Sequence, residues 1–438
     1  MYFLNDITEL TESKMQKIIL DWMCHDKARM EKYKSYYEGN HPILERVYTD
    51  PNVPNNKVVS NFAFDMVSQY SGFLSGVPIQ YVSQEDISDI INILEYNDVH
   101  SEDVNFLENA LKYGQAFELF YLDAEANQRF KVIDSLEMIP IYYNDLDAEL
   151  MAVIRLYSAN DVDKQLDTFV DVYTETEIIH YKSNTGFQNF SFISKTPHHY
   201  GMCPCTVFYL NNDHTSIFDR VVTLQDAYNN LLSDEVNDME AFTDALLALQ
   251  GLEGTDSEDI QQMKKDRVLL LPEDANAFWI TKDASKQATN ELLDRIERLI
   301  ERIGACPDLT DESFGTNSGI AIQYRLLSME NNASKIEAQM KKALLRRLEL
   351  ICQIQQILST EFAWRDINII FTRNIPQNLL EIAQIINQFR GLVSDKTLLG
   401  QIPFVTDVDE EQEQLTLERK AQNDAYSDFI YTEDLNEN

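Results

Sequence analysis

The densest set of metal-ligating side chains is His198, His199, Cys203 and Cys205, within TPHHYGMCPCTVFYL. Imidazole and thiolate are the donors zinc prefers, but Cys-Pro-Cys departs from the Cys-x₂₋₄-Cys spacing of structural zinc sites. A turn at Gly201 leading into a buried strand accounts for the same residues, and it is the expectation here. Carboxylates such as Asp308, Asp311 and Glu312 could hold a divalent cation for a nuclease. In a chain with 73 Asp and Glu such groupings carry little signal, and a solvated acidic loop explains them. None of the 13 glycines is followed by Lys, which excludes a P-loop. HExxH, Gly-x-Ser-x-Gly and Gly-x-Gly-x-x-Gly are likewise absent from the sequence. The expectation is a protein with no catalytic residues, no bound metal and no cofactor.

Charge narrows the partners. The 438 residues carry 36 Lys and Arg, for a formal net charge of −37, which argues against a protein that grips nucleic acid on a basic surface. Three local basic groups stand out. Arg295, Arg298 and Arg302 share one side of a helical segment; Lys264, Lys265 and Arg267 precede it; and Lys341, Lys342, Arg346 and Arg347 follow on another. They could touch phosphates transiently, or pair with the abundant carboxylates. With 44% hydrophobic residues, 22 Phe and 21 Tyr, the chain has material for a large core. Five cysteines suggest reduced thiols in an intracellular setting. The start, MYFLNDITELTESK, lacks the pattern of a signal peptide, and no apolar run approaches the roughly 18 residues of a membrane span. A soluble protein that folds in a cytoplasm is expected, with no membrane partner.

The elements that must position these groups change along the chain. Residues 6–37 read as helical, with Ile18, Ile19, Trp22 and Met23 apolar, and break at Gly39-Asn40-His41-Pro42. Phe62 to Phe73 and residues 101–122 read as helices, with strand character from Phe117 onward. Residues 117–210 carry short aromatic and β-branched runs, so an antiparallel β region is predicted. Thr215 to Gln250 holds neither Gly nor Pro, and its apolar spacing predicts one helix of about 50 Å. Val268–Leu271 and Phe278–Ile280 are strand candidates that could pair. A second helix is predicted from Ser285 to Ile303, with Ala288, Leu292, Ile296, Leu299 and Ile303 on one face, stopped by Gly304 and Pro307. A third runs from Ile320 to about Ser359, weakest at Asn331–Ser334, where a bend is expected. A strand at 367–371, helices at 377–390 and 409–425, and an acidic, frayed tail complete the chain.

Three passages carry a family resemblance: KYKSYYEGNHPIL (32–44), NNKVVSNFAFDMVSQYSGFLSGVPIQY (55–81) and PDLTDESFGTNSGIAIQYRLLSMENNASKIEAQMKKALLRRLELI (307–351). With YGMCPCTVFYLNN and INIIFTRNIPQN in the same order, the chain resembles the portal proteins of tailed bacteriophages, of the type found in long-tailed phages of Gram-positive hosts. The likeness spans roughly Met15 to Arg419.

The resemblance implies an α+β, mainly helical portal-protein fold with wing, stem, clip and crown. Residues 1–214 and the strand near 367–371 would form the wing. Stem helices would be 215–250 and 284–305, with the clip at 251–283 between them. A tunnel loop at 306–318 would feed a long kinked helix and the return to the wing (319–366), and 376–438 would be crown and tail. It implies a homo-oligomeric ring, usually of about twelve subunits, at one capsid vertex of the virion. Double-stranded DNA would be driven through it by a terminase large subunit and later ejected. Scaffold, major capsid protein and a head–tail adaptor would be further partners. Glu312, Ser313, Phe314, Gly315, Thr316, Asn317 and Ser318 would be the DNA-facing candidates of the tunnel loop. The rival functions are a metal-dependent phage nucleic-acid-processing enzyme and a monomeric helical scaffold or adaptor. Under the portal expectation the acidity makes sense, because a cationic wall would bind phosphates and stall a moving duplex.

Overall fold

Thr11 opens the first long helix by accepting a hydrogen bond from the Lys14 amide on its Oγ1 (3.3 Å). Helix α1 (Glu12–Trp22) buries Met15, Ile18, Ile19 and Trp22, the i, i+3, i+4, i+7 set of one face. A π-helical turn at Met23–Lys27 carries the chain into α2 (Ala28–Tyr37) without a break. The computed structural model describes residues 1–420, except 51–52, 161–165, 184–188, 244–245, 251–275, 281–285, 309–318, 358–362, 375–378, 401, 403–404, 406–407 and 409–410. The chain divides into two compact units, Met1–Leu309 with Leu326–Asn374, and Thr310–Arg325 with Ile375–Asn438.

In the first unit, α1 packs on a six-stranded sheet. Its strands are β1 (Tyr2–Leu4), β5 (Met138–Tyr143), β6 (Leu150–Asn160), β7 (Leu166–Tyr173), β8 (Glu177–Ser183) and β9 (Ser191–Pro197), in that spatial order. Only the β1–β5 pair is parallel. A second sheet holds β10 (Cys205–Tyr209), β3 (Gln115–Leu122) and β4 (Gln128–Ile133). Alternation on β6 serves two cores: Ala152 and Ile154 face α1, whereas Val153 joins Phe117, Leu119, Cys203 and Cys205 between the sheets. Helices α3 (Phe62–Ser75), α4 (Ser88–Tyr96) and α5 (Val99–Tyr113) precede β3. The switch from α5 to β3 falls at Gly114 rather than near Phe117. Gly114 has φ +83°, and a Cβ there would meet the His214 carbonyl at 2.5 Å, so a residue with a side chain does not fit. β2 (Gln80–Val82) pairs antiparallel with the late strand β13 (Asn368–Ile370).

The expected helix over 215–250 is shorter than its pattern suggests. After a 3₁₀ turn at Asp219–Val221, α6 spans Val222–Thr243, and β11 (Leu246–Gln250) pairs antiparallel with β12 (Asn276–Ile280). A short apolar run such as LLALQ fits helix or strand equally well, and the partner strand decides. The other suggested partner, Val268–Leu271, lies outside the described residues. Helix α7 spans Lys286–Gly304, and α8 is one unbroken helix of 39 residues, Gly319–Ile357, about 58 Å long. It continues through Asn331–Ser334, where Asn332 and Ser334 turn to other side chains, Tyr70 and Glu330, instead of competing for backbone.

The second unit contains α9 (Leu379–Phe389), α10 (Asp395–Leu399, capped by Ser394) and a helix over 411–420. No helix among the described residues is long and apolar enough to cross a membrane.

Candidate functional site

The candidate surfaces lie along α6, α7 and α8. Helix α7 packs on α6 through Leu293, Ile296 and Ile300, all under 8% exposed. This stripe is rotated from the expected one. Ile296 is shared, but Leu292 and Ile303, each 43% exposed, are left in solvent. Arg295, Arg298 and Arg302 sit two residues on from the buried set, about 200° around the helix, and all three are exposed. Arg298 approaches Asp294 at 3.9 Å, a solvated pair worth little. Behind it Glu297 and Glu301 have raised pKa values, through partial burial and then through neighbouring charges, Asp294 and Asp308 on Glu297, and Glu297 and Asp308 on Glu301.

The basic residues of α8 have more definite positions. Lys341 pairs with Glu337 at 2.7 Å and lies over the Phe371 ring. Lys342 is exposed. Arg346 binds Glu349 at 2.8 Å and the Cys203 carbonyl. Arg347 corrects the sequence expectation: it is fully buried, not a candidate for contact with DNA. Its Nε and one terminal nitrogen donate to the two Glu118 oxygens at 3.0 and 2.9 Å, and the other nitrogen donates to Asp103 at 2.5 Å and Tyr81 at 3.2 Å. Low-dielectric surroundings enforce such pairing, since a lone buried charge is far too costly. Lys264, Lys265, Arg267 and all of Glu312–Ser318 lie outside the described residues.

Three of the four candidate metal ligands have other duties, and the fourth, His199, is exposed. Cys203 and Cys205 pack between the sheets, where burial pushes the Cys203 thiol up to about 12 and Cys205 well above its usual range. His198 meets the Thr174 carbonyl at 2.9 Å, and burial lowers its pKa.

Two arrangements escaped the sequence reading. The most buried stripe of α6 is polar: Gln225, Asn229, Ser233 and Asn237. The extended strap before α3 hangs on it. The amides of Ser60, Val58 and Asn56 donate to Asn229 Oδ1 (2.8 Å), Ser233 Oγ (2.9 Å) and Asn237 Oδ1 (2.6 Å) in turn. Buried His41 closes the top of this ladder. Its Nδ1 accepts from Gln225 and Asn229, its Nε2 donates to the Tyr36 carbonyl, and burial keeps the ring neutral. The four-residue polar spacing was visible in the sequence but weaker than the apolar pattern beside it. The second arrangement joins α3 to both neighbouring helices. Tyr70 reaches the carbonyls of Gly304 and Ala305 at the end of α7 and receives Asn332 of α8, while Cys306 bonds Gln69.

Comparison with known proteins matches the chain to a family. The family model described as phage portal protein, SPP1 Gp6-like, covers residues 16–425. A relative called portal protein, from Clostridium phage phiCD119, is 24% identical over 92% of this chain and 96% of its own length. This is a family of structural proteins rather than enzymes. The chain belongs to the SPP1 Gp6-like family of phage portal proteins.

Proposed function

We propose that the protein assembles into a ring at one vertex of the phage capsid, through which double-stranded DNA enters during packaging and leaves on ejection. The observation that carries this reading is the family match over residues 16–425. In it, α6 and α7 form the stem, residues 251–283 the clip, residues 306–318 the tunnel loop and residues 376–438 the crown. A terminase, scaffold, major capsid protein and head–tail adaptor are the partners, and the host cytoplasm is the place of assembly.

The apolar side chains left in solvent on the long helices support a ring. Met239 on α6, Leu292 and Ile303 on α7 and Leu327 on α8 are between 43% and 58% exposed. A closed heterologous ring buries one such face against a different face of the next copy. Arg295, Arg298 and Arg302 point away from the α6 contact and remain candidates for transient phosphate contact, as do Lys264, Lys265, Arg267 and Lys342. Glu312–Ser318 remain the candidates for the tunnel wall. Negative-stain microscopy of the purified protein tests the proposal: rings with an axial hole are expected, and particles of single-copy size at all concentrations would overturn it. Magnesium-dependent DNA cleavage by the same sample would favour the enzyme instead.

A further inference from the structure

Arg347 is surrounded by more negative charge than it can neutralise. Asp103 and Glu118 are 1% and 0% exposed, and Arg347 itself is 0% exposed. The guanidinium spends its Nε and one terminal nitrogen on both oxygens of Glu118, leaving a single nitrogen for Asp103 Oδ1 and the Tyr81 hydroxyl. Two ionised carboxylates against one guanidinium leave one uncompensated negative charge in the core, which a protein interior does not tolerate.

The other groups packed around the cluster do not supply the missing cation. On α5, Glu102 is also buried, but Lys131 of β4 and the Val132 amide already satisfy its two oxygens, at 2.5 and 2.8 Å. His100, at the start of α5, opposes the rise at Asp103 but is exposed, so water screens it. On β4 the Phe130 ring lies 5.0 Å from the guanidinium carbon, favourable for Arg347 and neutral toward the acids. On β10 the Cys205 thiol is held protonated by burial. Arg346, the neighbour on α8, is engaged with Glu349 and the Cys203 carbonyl. Tyr81 of β2 stays protonated, because burial raises its pKa.

We propose that the folded protein binds one proton in this cluster near neutral pH, held jointly by Asp103 and Glu118, so that docking of α8 on β3 and α5 is pH-sensitive. The proton belongs to the pair, as in other closely coupled carboxyls. Asp103 has the better room for it, since both Glu118 oxygens already accept from Arg347. Burial raises both acids, with Arg347 opposing the rise, and takes Glu118 to about 7. A folded value above the unfolded one means stability that is complete below the ordinary 4.5 and is lost as pH climbs to about 7. The cluster ties four elements together, so its protonation sets how firmly the C-terminal half of the long helix is held.

Infrared spectroscopy of the full chain reads the proton directly, through the carbonyl stretch of a buried, protonated carboxyl. A Glu297→Gln/Glu301→Gln background removes two other carboxyls with raised values. In that background one such band is expected at about pH 6, disappearing with a midpoint near the neutral range of Glu118. No band titrating in that window would overturn the proposal, and this outcome needs no change to the cluster. Asp103→Asn keeps an acceptor for Arg347 and removes one carboxyl. It should abolish the band, and relative to this variant the parent's unfolding equilibrium constant should rise about tenfold per pH unit across the window. A band that survives Asp103→Asn unchanged, or parallel pH profiles for the two proteins, would also overturn it.

Discussion

The Tyr70 hydroxyl lies 3.1 Å from the carbonyl oxygen of Ala305. The same hydroxyl receives Nδ2 of Asn332 at 3.4 Å, so one phenol on α3 holds the end of α7 and the buried part of α8 together. Tyr70 is fully buried, and burial lifts its pKa to about 12. Tyr70→Phe keeps the ring and strands these partners in the interior. It should lower stability by about 1–3 kcal/mol, seen as a lower urea midpoint at unchanged m-value.

The strap ladder makes a residue-by-residue prediction. Asn229→Ala, Ser233→Ala and Asn237→Ala each remove the acceptor for one amide, of Ser60, Val58 and Asn56 respectively. Each substitution should cost about 1–3 kcal/mol. Hydrogen exchange should accelerate most at the amide that lost its acceptor. Uniform acceleration over the whole strap would mean that the three rungs act only collectively.

At the ionic cluster, Arg347→Met removes the cation and keeps much of the volume. The buried acid pair, which shares one proton, then has no counter-charge for its remaining carboxylate, and the expected loss is about 3–5 kcal/mol in chemical denaturation. Replacing Asp103 and Glu118 by apolar residues in the same protein should recover most of it, because the cost lies in the stranded charges.

The exposed apolar side chains of α7 separate folding from assembly. Leu292→Asp and Ile303→Asp change residues already 43% exposed, so subunit stability should shift by no more than about 0.5 kcal/mol. Ring formation, followed by light scattering and microscopy, should be strongly reduced. Unchanged rings from both variants would place the subunit contact elsewhere.

The helices with a regular apolar period were legible in advance, as at Ile18, Ile19 and Trp22, because one physical rule governs the whole segment. Strand 276–280 was anticipated from Phe278–Ile280, but its partner was not, since LLALQ has no period of its own that separates helix from strand. Arg347 was misjudged by grouping it with its charged neighbours Lys341, Lys342 and Arg346. Its spacing from Met340, Leu344, Leu348 and Ile351, all buried, put it on the inner face of α8. The acids that receive it are far away in sequence, and no local pattern announces a long-range pair. Glu118 offered one hint, a lone charge in the apolar run FELFY.

The hold of α6 on the strap works like a vernier. Four residues of helix advance about 6.0 Å, while two residues of extended chain advance about 6.6 Å. The two scales drift apart by about 0.6 Å per step, which the side chains absorb over three rungs. Three is therefore close to the natural limit of such a seam, and Asn56 already turns its side-chain amide to Glu240 beyond the last rung. A slip of one residue would turn every strap amide away from the helix, and a slip of two would lose a rung. A helix carrying a polar side chain every fourth position can thus measure off a length of neighbouring chain and stop it at a defined point.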